Sequence, residues 1–154
     1  MKKFMAIFLS LLMIFSLAGC GGNNSNENGV TEFKAAEGRF KLDRWERNSD
    51  FDNETSDGYS LVFLSTIDSI PVQFTLGSDS TPMVLLVADV IVDGTAIQAN
   101  GISASYGQYE GGYSAEILYS FSLPKGSALP SKGVLHDMTA DKDIDLDLSG
   151  LELK

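Results

Sequence analysis

Cysteine and histidine are almost absent from this chain of 154 residues, which has one of each. Because Cys20 is the single cysteine, no intramolecular disulfide can form, and stability must come from a hydrophobic core. Because His136 is the single histidine, a multi-histidine zinc site is excluded, and a Ser-His-Asp triad would depend wholly on it. A nucleophile elbow and a phosphate-binding glycine loop are also missing. These absences argue against an enzyme, and we expect His136 to be a surface residue.

Positive charge is scarce as well, with 11 Lys and Arg against 21 Asp and Glu and a formal net charge of −10. An excess of this sign repels nucleic acid and anionic lipid, and it attracts cations or basic partners. We therefore expect no nucleic-acid partner. Since the sequence has neither a multi-histidine site nor a phosphate-binding glycine loop, we expect no cofactor either. Solubility alone would also explain the charge.

The N-terminus combines two lysines with an uncharged apolar run, Phe4–Leu17. The run is shorter than the roughly 20 apolar residues that cross a bilayer, and it is typical of a secretory signal. It ends in Leu17-Ala18-Gly19-Cys20, which resembles the lipobox of bacterial lipoproteins. The resemblance implies that residues 1–19 are a lipoprotein signal peptide and that Cys20 becomes a lipidated N-terminus. It also implies a protein anchored at the extracytoplasmic face of the cell membrane.

Residues 20–32 are predicted to be the lipidated cysteine and a flexible polar tether. The stretch from Gly21 to Gly29 has no apolar residue and cannot bury surface that would offset the entropy of ordering. A tether of this composition would hold the domain on the order of 15–20 Å from the membrane. In a cell with two membranes, Gly21 directly after the anchor implies the outer membrane by the sorting pattern of lipoproteins.

Residues 33–154 are predicted to form one domain, because the length suits a single core. The alternation of apolar and polar residues is that of β-strands, with no stripe of helical period. The clearest strand runs from Tyr113 to Leu123, and the same alternation covers 70–76 and begins a strand at 40–45. The apolar runs at 61–67 and 83–92 are also expected to be strands. Asp93-Gly94 predicts a tight hairpin turn after the last of these.

With a C-terminal strand included, the pattern amounts to seven or eight short strands. This favours an all-β, antiparallel sandwich, and a small β-barrel is the alternative. Together with the lipobox and the polar tether, the pattern resembles the small immunoglobulin-like domains of bacterial lipoproteins. A fold of this kind does not specify a function.

The C-terminal stretch DKDIDLDLSGLELK has acids at the spacing of an EF-hand calcium loop starting at Asp141. However, Leu146 stands where that loop needs glycine, and the chain ends two residues after Glu152. A strand is the better interpretation, because Ile144 and Leu146 alternate with acids that would point to solvent. Such a charged strand also discourages pairing with other chains.

A second acidic cluster, residues 48–58, contains Asp50, Asp52, Glu54 and Asp57, and we expect it to form a loop. Flexible acidic loops can bind Ca²⁺ weakly through oxygen ligands. A solvated loop is the simpler interpretation, so no metal site is assigned.

The segment YGQYEGGY, residues 106–113, is the best candidate for recognition. Tyrosine offers a large amphipathic surface with few rotatable bonds, and glycine lets the backbone approach a ligand closely. We expect a loop in which the ligand-binding residues are Tyr106, Gln108, Tyr109 and Glu110. A glycine-rich connection between strands would need no partner to explain it.

The run MVLLVADVIV, residues 83–92, is apolar on both faces apart from Asp89. A central strand covered on its outside would explain this pattern. Otherwise one face would be an exposed apolar patch of the kind that marks a protein interface.

The sequence therefore predicts a lipid-anchored, extracytoplasmic binding or protein-interaction module of the bacterial envelope. Its expected partners are the membrane, through the lipid on Cys20, and a protein or small molecule of unknown identity. The alternatives are a calcium-responsive structural module of the envelope and a surface hydrolase.

Overall fold

The computed structural model describes residues 24–25, 31–35, 38–67, 86–138 and 140–154, which form ten strands and one short 3₁₀ helix. The strands are β1 (Asn24–Ser25), β2 (Thr31–Ala35), β3 (Gly38–Arg47), β4 (Ser56–Ser65), β5 (Leu86–Val92), β6 (Thr95–Gln98), β7 (Gly101–Tyr109), β8 (Tyr113–Pro124), β9 (Lys132–Asp137) and β10 (Lys142–Asp147). The 3₁₀ helix, Ser49–Phe51, follows β3.

The described strands form two antiparallel sheets. One has six strands in the order β1-β2-β3-β4-β8-β7, and the other has four in the order β10-β9-β5-β6. The predicted antiparallel sandwich is therefore confirmed, and the described strands do not close into the alternative barrel. The strand count exceeds the predicted seven or eight, while the strand predicted at 70–76 lies outside the described residues.

The core forms where the inner faces of the two sheets meet. Trp45, Phe63, Tyr119 and Phe121 are almost completely buried there. The Phe63 and Tyr119 rings meet edge-on, with centroids 5.5 Å apart. The Tyr119 hydroxyl donates a hydrogen bond of 3.2 Å to the Leu86 carbonyl of the opposite sheet, and burial raises the pKa of that hydroxyl. This contact satisfies a polar group inside the core and joins the two sheets.

Strand β5 is central in its sheet, as expected, with Leu86, Ala88, Val90 and Val92 buried toward the core. Its other face, which includes Val87 and Ile91, is half-buried. Residues 83–85 of the predicted strand lie outside the described part.

The predicted turn after β5 is confirmed. Asp93 and Gly94 have φ angles of 49° and 79°, and β5 pairs with β6 directly across them. Both angles lie in the left-handed region that this type of hairpin requires.

The chain passes from one sheet to the other between β6 and β7. Ala99 N donates to Ala88 O at 2.9 Å, and Asn100 N donates to Ser120 O at 2.9 Å. These bonds place β7 at the end of the six-stranded sheet, next to β8.

The C-terminal stretch forms strand β10, as predicted. Ile144, Leu146 and Leu148 are buried, whereas Asp143, Asp145 and Asp147 are exposed. The EF-hand interpretation is wrong for this stretch, because the acids lie along one face of a strand and do not converge. A turn at residues 149–150 then brings the end of the chain to β3, where Trp45 N donates to Glu152 O at 2.8 Å.

Near the N-terminus, β1 pairs with the start of β2 through Asn24↔Glu32 and Ser25↔Thr31. The six-stranded sheet thus begins before residue 33, inside the segment 20–32. In the part of the chain that the structure describes, no helix is long and apolar enough to cross a membrane.

Candidate functional site

The segment predicted as a recognition loop is the end of a β-hairpin. Tyr106, Gln108 and Tyr109 belong to strand β7, and only Glu110 lies in the turn to β8. The loop prediction was therefore wrong for three of these four residues. The glycines do not prevent strand formation here, because β7 pairs with the buried strand β8 from Gly101 to Tyr106 and again at Tyr109.

The turn of the hairpin depends on its glycines. Gly111 and Gly112 have φ angles of 80° and 78°, which other residues rarely adopt. The regular register of β7 with β8 ends at Tyr106 and resumes at Tyr109, opposite Tyr113. Such a β-bulge bends the strand and changes the direction of nearby side chains. It separates the regular part of β7 from the turn.

The four predicted ligand-binding residues do not form one compact cluster. Tyr106 is 57% exposed, Gln108 and Glu110 are exposed, and Tyr109 is half-buried. The Tyr109 hydroxyl lies 3.2 Å from the Ser105 hydroxyl. The tyrosines and Gln108 thus line the last part of β7, which ends the six-stranded sheet among the strands that the structure describes.

An arginine that is distant in the sequence holds the hairpin turn against the rest of the sheet. Arg39 Nη2 donates to Gly111 O at 2.8 Å, and the guanidinium carbon lies 4.8 Å from the centroid of the Tyr113 ring. The Tyr113 hydroxyl donates to Glu32 Oε1 at 2.7 Å. Burial, followed by the bond to Glu32, raises the pKa of Tyr113 to about 12. The turn is therefore fixed from strands β2 and β3.

Sequence reasoning missed Arg39 and Glu32 as parts of this site. They lie 72 and 81 residues from their partners, and no local pattern connects them. Their roles follow only from the pairing of β2, β3, β4 and β8 in one sheet.

The loop predicted for the acidic cluster 48–58 is shorter than expected, because β4 begins at Ser56. Arg47 binds both oxygens of Asp52, with Nη1···Oδ1 at 2.7 Å and Nη2···Oδ2 at 2.9 Å. The Asp52 carboxylate also accepts the Gly58 amide at 2.7 Å. The bonds to Arg47 and then to Gly58 lower the pKa of Asp52.

Asp57 of the same cluster accepts the Gly126 amide at 3.1 Å and lies 3.6 Å from Arg47. Two of the four acids are thus engaged by the protein itself. Within the described residues, no group of three or more His, Cys, Asp and Glu side chains could hold a metal ion. The cluster is explained as a structural element that anchors the start of β4.

His136 is half-buried between two acids on the outer face of the four-stranded sheet. Its Nδ1 lies 2.6 Å from Asp143 Oδ1, and its Nε2 lies 3.3 Å from Asp89 Oδ2. The bond to Asp143 contributes most to raising the pKa of His136. Both ring nitrogens face carboxylates, so this geometry joins three strands and presents neither nitrogen to a serine.

No family model, no curated protein and no solved structure matches this chain.

Proposed function

We propose that this protein is a lipid-anchored, extracytoplasmic interaction module in which the β7–β8 hairpin is the recognition surface. The anchor part of the proposal is supported by the likeness of Leu17-Ala18-Gly19-Cys20 to a lipobox. The module part is supported by strand β7, which is long and uncharged, ends its sheet among the described strands, and carries the exposed Tyr106.

The observation that carries the proposal is the combination of an exposed tyrosine with a fixed hairpin. Tyr106 exposes 57% of its surface, yet the turn near it is held by Arg39 and Tyr113. A surface that is ordered before binding loses less conformational entropy on association. Tyrosine is also one of the residues that contribute most often to binding energy at interfaces.

A site-specific photo-cross-linker on intact cells would test the recognition surface. Placed at Tyr106, it should give a discrete cross-linked product with a cell-envelope partner. The matched control position is Met138, which is 62% exposed and apolar but lies beyond β9. Products of the same pattern at both positions, or none at Tyr106, would overturn the assignment of the hairpin.

Mass spectrometry of the native protein tests the anchor. We expect Cys20 at the N-terminus with a diacylglyceryl group, and release of a Cys20→Ser variant from membranes. A native protein with the leader attached and an unmodified Cys20 would contradict the proposed location.

A further inference from the structure

The segment after β10 crosses from the four-stranded sheet to the six-stranded sheet. Leu148, directly after β10, is buried in the core, and a turn follows it. Residues 151–154, which we name the clasp, then run beside β3. Trp45 N donates to Glu152 O at 2.8 Å, and Lys154 N donates to Trp45 O at 2.9 Å. The clasp therefore binds both backbone polar groups of a single residue of β3.

A β-bulge in β3 explains where the clasp is placed. Strand β2 pairs with residues 38–41 of β3, and the register between β3 and β4 shifts between Leu42 and Arg44. Such a bulge bends the strand and increases its twist. The clasp meets β3 just beyond the bulge, where Leu153 and Trp45 form a parallel bridge. Along the edge opposite β4, β3 thus pairs with β2 before the bulge and with the clasp after it.

The clasp is held by fewer contacts than the strand that precedes it. Glu152 and Lys154 are exposed, Leu153 is 50% exposed, and Leu151 is half-buried against the core. Strand β10, in contrast, pairs with β9 through six residues in continuous register. Segments with few buried apolar contacts and exposed backbone hydrogen bonds open at a lower free energy than the core. We therefore expect the clasp to open while the two sheets stay folded.

The residue under the clasp reports on its own surroundings. Trp45 is the only tryptophan of the chain, and its side chain is completely buried. Its ring meets that of Phe121 edge-on, with centroids 6.1 Å apart. Tryptophan fluorescence therefore follows this one position of β3.

We propose that the edge of β3 at Trp45 is a strand-acceptor site that the chain fills with its own clasp, and that an extended segment of another protein replaces the clasp there. The clasp shows what the site accepts: a segment parallel to β3, with an aliphatic residue at the position of Leu151 and main-chain groups at those of Glu152 and Lys154. In recognition by strand addition, main-chain hydrogen bonds supply affinity and side-chain positions supply specificity. This site is separate from the β7–β8 hairpin, so the inference goes beyond the proposed function.

Native-state hydrogen exchange of the full chain tests whether the clasp opens by itself. The Trp45 amide, which bonds to Glu152, should exchange faster than the amides that pair β4 with β8. Its exchange should also change little with low concentrations of urea, because a local opening exposes little surface. Exchange of the β4 and β8 amides should accelerate with urea. The same urea dependence for Trp45 and for these amides would overturn the releasable clasp.

Two variants at Lys154 separate the backbone hydrogen bond from the side chain. Lys154→Pro removes the amide that donates to Trp45 O, whereas Lys154→Ala keeps it. We expect Lys154→Pro to raise the exchange rate of the Trp45 amide about fivefold, the factor that corresponds to one backbone hydrogen bond. Its tryptophan fluorescence should be quenched more readily by acrylamide. Lys154→Ala should leave both measurements unchanged, and equal responses of the two variants would contradict the proposed hold on Trp45.

A fluorescent peptide, Ser-Gly-Leu-Glu-Leu-Lys, which has the sequence of residues 149–154, tests the acceptor site by anisotropy titration. It should bind Lys154→Pro about fivefold more tightly than the wild type, because a weakened clasp leaves the site open more often. N-methylation of the lysine amide of the peptide should abolish binding, since it removes the donor to Trp45 O. Equal binding of the methylated peptide, or no binding of the unmethylated peptide to Lys154→Pro, would overturn the acceptor site.

Discussion

Among the described strands, β7 and β10 each end a sheet, yet their exposed residues differ in charge. In β10, exposed aspartates alternate with buried Ile144 and Leu146, so solvent meets a row of negative charge. In β7, the exposed residues are serine, glycine, glutamine and tyrosine. The difference indicates that β10 is protected against pairing by charge, whereas β7 has no such protection in its sequence.

Truncation of one apolar side chain in each strand should separate their structural roles most clearly. Leu146→Ala in β10 removes a side chain that is 3% exposed, and we expect a loss of about 2–5 kcal/mol in unfolding free energy. Tyr106→Ala in β7 should cost less than about 1 kcal/mol, since most of that side chain is exposed. Urea denaturation measures both, and equal losses would contradict the assignment of roles.

The next effect concerns the contact that holds the hairpin. Arg39→Ala removes the bond to Gly111 and the contact with the Tyr113 ring, and we expect a loss of about 1 kcal/mol. Amide exchange should accelerate in the β7–β8 turn and remain unchanged in β10. Arg39→Lys is the control, because it keeps the charge without the planar guanidinium. Unchanged exchange in the turn would show that Arg39 does not hold it.

His136, which contacts Asp143 of β10, should make the free energy of unfolding depend on pH. Because the side chain is partly exposed, we expect the change to be about 1 kcal/mol or less. Asp143 and Asp89 raise the pKa of His136 above its usual value of about 6.5, so the folded state binds the proton more tightly. This stabilisation is complete below about pH 6.5 and is lost as the pH rises through the folded pKa. The stability difference between wild type and His136→Asn should therefore shrink from pH 6 toward about pH 9 in urea titrations. A difference that grows over that range would contradict the contacts.

The smallest effect is expected from removing charge at the protected edge. Asp143→Thr with Asp145→Thr gives β10 a composition closer to that of β7, so weak self-association should appear at high concentration. Asp50→Thr with Glu54→Thr removes equal charge from the loop after β3 and serves as the control. Analytical ultracentrifugation compares the two. Association of both variants to the same extent would attribute it to net charge alone.

Much of the fold could be predicted from the sequence, because the alternation of apolar and polar residues shows directly which side of a strand faces the core. The pattern is followed closely in Tyr113–Leu123 and Ile144–Leu148. The hairpin turn is predicted by Asp93-Gly94, because these residue types adopt the positive φ angles that the turn requires. These features are local, so no knowledge of the neighbouring strands is needed.

The candidate site was harder to predict, because its structure depends on distant partners. Glycines in 106–113 indicated a loop, but pairing with β8 makes most of that segment a strand. Asp57 and Gly58 were also expected in a loop, yet they lie in β4 and pair with Leu123 and Ser122 of β8. In both cases, the hydrogen bonds of an adjacent buried strand outweigh the local preference.

Photo-cross-linking on intact cells from Tyr106 in β7 and from Asp145 in β10, which is also exposed, tests the contrast between the two strands most directly. We expect a discrete product with a cell-envelope partner from Tyr106 and none from Asp145. Products from Asp145 instead, or the same products from both positions, would contradict this contrast.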